Sequence, residues 1–342
     1  MNKLTDWIKQ HHIVAFYAIT FAISWGLWIP FADALINRGA DFLFPLLVIA
    51  TCGPALAAII VTAISNTKKR LPKTRATWVS FLVAWIVSTL VFLAHNIFIN
   101  HAPFSPGMVI FILVSMVPVA FVISRAFSRT PSVRKLVSSL VKPRGSAVWY
   151  VLALVLKPIL IWLSIGVSTV LGRGMGSTAS PPAVGWEFAG LVITVFLYQF
   201  FFFNAVGEEV GWRGFAMPRL QAKTSPLIAC LVIGLLWAPW HAPLWYAEGA
   251  PTFTWDFWIN MFLVIVPSSV ITGWLYNRSQ GSILVAGIAH AAGNTVGKFV
   301  LAPQLDERSI GLTWLVFAAL LVVLDRMWEK LPSDHPAVYR SS

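Results

Sequence analysis

Charged residues are scarce in this chain. Asp, Glu, Lys and Arg make up 11% of its 342 residues, whereas a soluble globular domain carries about 25%. Apolar residues make up 58%, and the mean hydropathy is +0.76. This balance excludes a soluble domain and predicts an integral, multi-pass membrane protein.

Cysteines and familiar metal-binding patterns are also few. The two cysteines, Cys52 and Cys230, each lie inside an apolar run, which excludes a disulfide framework and a cysteine-based metal site. The H-E-x-x-H pattern of zinc protease helices does not occur. No internal repeat is clear enough to indicate a transporter built from paired halves.

Apolar runs recur along the whole chain, each near the roughly 20 residues that a helix needs to cross a bilayer. The short alternating segments of a membrane barrel are absent from the sequence, so the runs predict helices. We predict an all-α, polytopic membrane helix bundle with about ten transmembrane helices. The runs are 13–36, 42–65, 78–99, 106–124, 147–171, 188–207, 226–245, 254–276, 282–300 and 310–325.

The net charge of +12 follows the positive-inside rule rather than a nucleic-acid-binding pattern. If the N-terminus is cytoplasmic, nearly all basic residues fall in inner segments. The exceptions are Arg38, Arg173, Lys298 and Arg308 outside, and Lys157 within a span. Both termini are therefore predicted to be cytoplasmic, and the predicted partner is the lipid bilayer with its anionic inner leaflet, with no nucleic acid.

The polar content of the spans divides the chain in two. The first four spans, in residues 1–146, carry few polar residues and two strongly basic loops, which predicts a membrane scaffold. Charged, His and Asn residues enter the apolar runs in residues 147–342, where we predict about six spans with a motif core at 187–300. Lys157, in the first of these six, is expected to snorkel to the interface.

Ionisable groups inside spans cost roughly 2.5–3.5 kcal/mol each on insertion scales, so each needs a partner or a role. Glu209 and Arg213 are four residues apart, the spacing that brings a carboxylate and a guanidinium together on a helix. Glu208 then lies on another face with its charge available, as a general base requires.

Two further apolar runs carry histidine. His241 lies late in the run 226–245, and His290 and Asn294 are one helical turn apart, so the latter two share a face. Helix rise places His241 at a depth similar to that of Glu208, whereas His290 needs a somewhat longer or tilted helix to reach the same depth. Such a cluster is able to hold a metal, to activate water and stabilise an oxyanion, or to relay protons, and the residues alone leave all three open.

Three motifs together resemble those of the CAAX protease and bacteriocin-processing family of intramembrane endopeptidases, also called the Abi family. They are EExxxR (Glu208, Glu209, Arg213), an aromatic-xxx-His (Trp237, His241) and HxxxN (His290, Asn294). The resemblance implies a membrane endopeptidase region in 147–342. It implies that Glu208 and His241 activate water, that His290 and Asn294 support the oxyanion, and that Glu209 and Arg213 hold the motif helix.

The resemblance leaves metal use open. Members of this family are described both as metalloproteases and as metal-independent glutamate proteases, so zinc or another divalent metal held by Glu208, His241 and His290 is one alternative. The implied substrate is a membrane-anchored or lipidated protein or peptide, cut near its anchored end. Eukaryotic prenyl-protein proteases have Phe at the position of Trp237, whereas Trp resembles bacterial members; for a bacterial source, the expected location is the plasma membrane.

Two other functional classes compete with a protease. Glu208, His241 and His290 are also a set that a proton- or cation-coupled transporter could use as a relay. A non-catalytic membrane scaffold or immunity protein could retain the fold without turnover. The complete set of motif residues favours the endopeptidase.

Overall fold

The computed structural model describes residues 3–38, 44–66, 68–99, 101, 103–172, 185–247, 249–300 and 306–340. Within these ranges the regular structure is entirely helical, which confirms the predicted all-α, polytopic bundle. Eight helices of the described chain are long and apolar enough to cross a membrane. They are His12–Asp33, Ala76–Phe98, Pro106–Phe127, Ala147–Val170, Phe188–Gln221, Pro226–Ala247, Trp255–Arg278 and Glu307–Leu324.

Two of the ten predicted spans correspond to shorter helices. The run 42–65 is divided into Phe44–Thr51 and Gly53–Ile64, because Pro54 is suited to the first turn of a new helix and not to a helix interior. The run 282–300 forms Ile283–Asn294, followed by the π-helix Thr295–Val300. The number ten and the cytoplasmic termini therefore stay predictions.

Several spans are internally divided or flanked by short helices. Within Pro106–Phe127, the helix is interrupted near Met116, directly before Val117 and Pro118. The remaining helices are Lys3–Gln10, which precedes the first span, Pro131–Ser138 on the predicted inner side, and Ala242–Ala247, which continues the Pro226–Trp240 helix. The Gly- and Pro-rich stretch 172–185, whose composition predicts an exposed outer loop, lies almost wholly outside the described residues.

Polar side chains cap the starts of the two helices that bear the second and third motifs. An oxygen of the N-cap residue accepts a hydrogen bond from the backbone N–H three positions later, which satisfies a donor that the helix itself leaves open. Ser225 does so for Pro226–Trp240, and Ser282 does so for Ile283–Asn294. These caps set where the two histidine-bearing helices begin.

The span Phe188–Gln221, which we call the EExxxR span, is the least regular helix of the site. It is α-helical from Trp186 to Tyr198, π-helical over Gln199–Glu209 and Trp212–Ala216, and α-helical again over Met217–Gln221. π-Helical turns are rare and occur frequently at functional sites. The sequence predicted a membrane helix at 188–207 and did not indicate these π-helical turns.

Two glycines let N-terminal elements approach the EExxxR span closely. A Cβ added at Gly207 would lie 3.0 Å from the carbonyl oxygen of Thr51, and one at Gly211 would lie 2.6 Å from the carbonyl oxygen of Pro54. Small residues four apart are a common means of bringing membrane helices together. The N-terminal spans thus pack directly behind the carboxylates, while the predicted division at residue 146 stays a prediction.

One sequence expectation placed a charged side chain, that of Lys157, at the membrane surface. Lys157 is 2% exposed, so the expectation that it snorkels to the interface is wrong: its ammonium instead donates to Ser268 inside the bundle, at 2.9 Å. Pro131–Ser138 is an amphipathic helix whose apolar residues are buried against the protein.

Candidate active site

Glu208 lies near the middle of the EExxxR span and is 3% exposed. Its Oε2 accepts hydrogen bonds from two indoles, Trp237 Nε1 at 2.7 Å and Trp212 Nε1 at 3.3 Å. Both donors are neutral, and no cation within the described chain forms an ion pair with Glu208. The carboxylate is therefore held in position without being neutralised.

Glu209 has the opposite environment. Its Oε1 lies 3.0 Å from Nη1 of Arg213, and both side chains are fully buried. Arg213 also lies over the ring of Trp237, 5.1 Å from the centroid, and its Nη2 is 3.5 Å from Ser269 Oγ. The ion pair predicted from the four-residue spacing is present, and it separates the roles of the two neighbouring glutamates.

His290 joins the HxxxN helix to the EExxxR span. Its Nδ1 lies 2.8 Å from Glu209 Oε1, and its Nε2 lies 3.2 Å from Asn204 Nδ2. The neutral tautomer that satisfies both contacts carries its proton on Nδ1, donates to Glu209 and accepts from Asn204. The imidazole of His290 is thus oriented by Glu209, whereas the indoles bind Glu208.

Asn294 faces the same group of amides. Its Nδ2 lies 3.4 Å from both Asn204 Oδ1 and Gln199 Oε1. Bonds of this length are weak, so the Asn294 amide can exchange them for a better acceptor. The sequence interpretation assigned no role to Asn204 or Gln199, although Asn204 precedes Glu208 by four residues and so faces the same side of the helix.

His241 lies at the end of the Pro226–Trp240 helix. Its Nδ1 donates to the carbonyl oxygen of Trp237 at 2.9 Å, which fixes the ring and leaves Nε2 as the acceptor nitrogen of a neutral imidazole. The ring stacks on Trp245 at a centroid distance of 4.9 Å. From this motif the side chain that reaches Glu208 is Trp237, so joint activation of water by Glu208 and His241 stays a prediction.

Close packing sets the position of the HxxxN helix. A Cβ added at Gly287 would lie 3.1 Å from Cα of Ala205 on the EExxxR span, and one at Gly293 would lie 3.2 Å from Cβ of Lys157. Gly293 is next to Asn294, so the buried lysine packs directly against the third motif. Lys157 therefore belongs to the surroundings of the site.

The predicted metal alternative is not matched by a set of convergent ligands. Among the described residues, no group of three His, Cys, Asp or Glu side chains is arranged to hold a metal ion. Glu208 is bound to indoles, and both ring nitrogens of His290 have protein partners. We derive no catalytic step through a metal, and the predicted metal stays a prediction.

Comparisons with known proteins give two matches to CAAX proteases. Residues 189–296 match the family model described as Type II CAAX prenyl endopeptidase Rce1-like. The chain is 34% identical over 135 residues to CAAX prenyl protease 2 of Methanococcus maripaludis, an alignment that covers 37% of this chain and 49% of the relative. The chain thus matches about half the length of that curated relative. These matches confirm the resemblance to CAAX proteases that the three motifs indicate. Residues 189–296, which contain all three motifs, are similar to the Rce1-like family.

Proposed function

We propose that this chain is an intramembrane endopeptidase that uses Glu208 to activate water. The substrate is a protein or peptide anchored in the membrane or carrying a lipid, cut near its anchored end. The Rce1-like segment supports the class of reaction, and the site supports the assignment of Glu208. The enzyme acts from within a cell membrane, at the depth of the buried carboxylates.

The observation that carries the proposal is the contrast between two adjacent glutamates. Glu209 is engaged by Arg213 and by His290, whereas Glu208 is held only by indole N–H groups within the described chain. Both indoles donate to Oε2, so Oε1 remains available for a water molecule. A carboxylate that is positioned but not neutralised is suited to general-base catalysis.

The proposed reaction is hydrolysis of one peptide bond. Glu208 takes a proton from water as the water oxygen bonds to the carbonyl carbon, and the carbonyl oxygen becomes an oxyanion. Glu208 gives the proton to the nitrogen as the tetrahedral intermediate collapses and the carbon–nitrogen bond breaks, so that a neutral amine leaves. The residue therefore ends the cycle as it began.

Amide groups near His290 are suited to receive the oxyanion. Asn294 Nδ2 makes only long contacts, at 3.4 Å, and can turn toward a developing negative charge at low cost. Donors placed in a water-poor cavity stabilise such a charge far more than they would in water. His290 donates from Nδ1 to Glu209 and accepts from Asn204 at Nε2, and Asn204 in turn contacts Asn294. In this proposal Asn294 donates to the oxyanion, and His290 supports it by positioning the amides.

The experiment that tests this proposal is cleavage by the purified chain in proteoliposomes. A panel of membrane-anchored peptides, with and without a prenylated C-terminal cysteine, is incubated with the protein, and new termini are identified by mass spectrometry. We expect cleavage close to the anchored end of at least one class of peptide. A folded protein that cuts none of them while it dissipates a proton gradient would instead favour the transporter.

A further inference from the structure

A second polar region lies outside the candidate active site, at the predicted inner ends of the helices. It is a cavity of about 660 Å³, within the range of small-ligand sites. Thr62, Pro218, Tyr276 and Ile283 place it where four different helical elements begin or end. The C-terminal segment 334–340 contributes another side.

The lining of this cavity is strongly basic. Its cationic side chains come from separate parts of the chain: Lys68, Lys135, Arg144, Arg219 and Arg340. Asp334 is the one carboxylate of the lining, and His335 is the remaining imidazole. The positive-inside rule places basic residues in inner loops but does not require them to converge on one cavity. The convergence therefore indicates a site for an anion.

Arg219 is held by two aromatic rings and a backbone carbonyl. Its guanidinium carbon lies 3.7 Å from the ring centroid of Phe215 and 4.1 Å from that of Tyr339. Nη1 donates to the carbonyl oxygen of Phe215 at 2.9 Å, and Nε is buried without a hydrogen-bond partner in the described chain. A buried donor without an acceptor costs free energy. The planar guanidinium group is well matched to a phosphate, which would supply that acceptor.

The C-terminal segment 334–340 holds Arg219 in place through Tyr339. Tyr339 donates its backbone N–H to the carbonyl oxygen of Pro218 at 2.9 Å, and Gln221 Nε2 donates to the carbonyl oxygen of Ala337 at 2.9 Å. Arg340 in turn bonds the carbonyl oxygen of Asp334. The segment is thus fastened to the end of the EExxxR span, and the cavity has a fixed shape.

We propose that this cavity binds the phosphate headgroup of an anionic phospholipid of the inner leaflet. The ends of membrane spans lie at headgroup level, and basic pockets between helices on the inner side are suited to such headgroups. The cavity is open to the phosphate of a lipid whose acyl chains lie along the neighbouring spans. A soluble phosphate compound offers the same charge, so the test must separate the two sources.

The test measures phosphatidylglycerol binding to the full chain by native mass spectrometry, beside phosphatidylcholine and inorganic phosphate. The Lys68→Gln/Lys135→Gln variant removes two exposed cations of the cavity. The matched control, Lys73→Gln/Lys142→Gln, removes two exposed cations elsewhere on the same predicted side. We expect affinity for phosphatidylglycerol to fall roughly tenfold in the first variant and to stay unchanged in the second.

Two results would overturn the assignment. Equal losses in both variants mean that general surface charge, and not this cavity, attracts the lipid. Inorganic phosphate that binds the wild-type chain as tightly as phosphatidylglycerol identifies a soluble ligand. As a separate check on Arg219, Arg219→Lys keeps the charge but removes the planar fork, and we expect it to weaken lipid binding as well. Because lipid binding is measured without cleavage, the result is independent of the proposed protease activity.

Discussion

The indole of Trp237 donates a hydrogen bond to Glu208 at 2.7 Å, from one motif helix to another. This contact gives the aromatic residue of the second motif a chemical role. Phe at that position would fill similar space but would offer no N–H to the carboxylate. The identity of the aromatic residue therefore bears directly on how firmly the proposed base is held.

Trp237→Phe tests this contact. A hydrogen bond to a charged group contributes about 1.5–3 kcal/mol, so we expect kcat to fall roughly 10- to 100-fold if the contact positions Glu208 for reaction. The matched control is Trp85→Phe, which removes an indole hydrogen bond of the same 2.7 Å length between Trp85 and Leu113. The measurement is kcat for cleavage by the two purified variants and by wild type. A kcat of Trp237→Phe equal to that of wild type would show that the Trp237 indole does not position Glu208.

The buried ion pair gives a prediction on stability. Removing one partner of a buried pair leaves the other charge uncompensated, at a cost of roughly 3–5 kcal/mol. We expect Glu209→Gln and Arg213→Met each to lower the unfolding temperature, and the double variant to lose much less than their sum. The exposed pair Arg326–Glu329, at 3.4 Å, is the control and should show almost no coupling. If the double variant instead loses as much stability as the two single variants together, Glu209 and Arg213 do not interact as a pair.

The close approach at Gly211 gives a packing prediction. A Cβ there would lie 2.6 Å from backbone and side-chain atoms of Pro54, so Gly211→Ala must displace a helix and cost about 1–3 kcal/mol. Gly190→Ala lies in the same span with nothing within 4 Å of the added carbon. The unfolding temperature should therefore fall for Gly211→Ala and stay unchanged for Gly190→Ala. Unfolding temperatures that agree within error would show that the two elements are not in contact.

Much of this architecture follows from composition alone. Apolar runs of sufficient length predicted all eight long spans, because backbone groups in a bilayer must be paired within the segment. The run 42–65 was predicted as one span, and the break between Thr51 and Gly53 was missed although Pro54 is suited to the start of a new helix. The π-helical turns of the EExxxR span were not foreseeable, because residue type does not specify which carbonyl each N–H selects.

The site was partly visible in the sequence. Spacing was enough to pair Glu209 with Arg213, since that contact is local to one helix. Trp237, the nearer partner of Glu208, and both partners of His290 come from other helices, and their identity depends on helix rotation that a single sequence does not record. Lys157 illustrates the same limit: its apolar stem suits snorkelling, yet the position of Ser268 across the bundle keeps its ammonium buried.

Metal dependence can be predicted from the contacts of His290. Both of its ring nitrogens have protein partners, and a metal bound by His290 together with Glu208 and His241 would have to displace at least one. We therefore expect chelator-treated protein to cleave at the wild-type rate. Metal content is measured by mass spectrometry for wild type, Glu208→Ala and His241→Ala. Near-stoichiometric zinc that is present in wild type and lost from both variants would instead identify these residues as ligands.

The cleavage rate of Glu208→Gln tests the central claim most directly. The glutamine oxygen can still accept from the indoles of Trp212 and Trp237, so the site should remain folded, but the side chain can no longer take a proton from water. The account predicts that peptide cleavage in proteoliposomes falls by at least about 100-fold while the unfolding temperature stays close to that of wild type. Cleavage by Glu208→Gln at the wild-type rate would contradict the account.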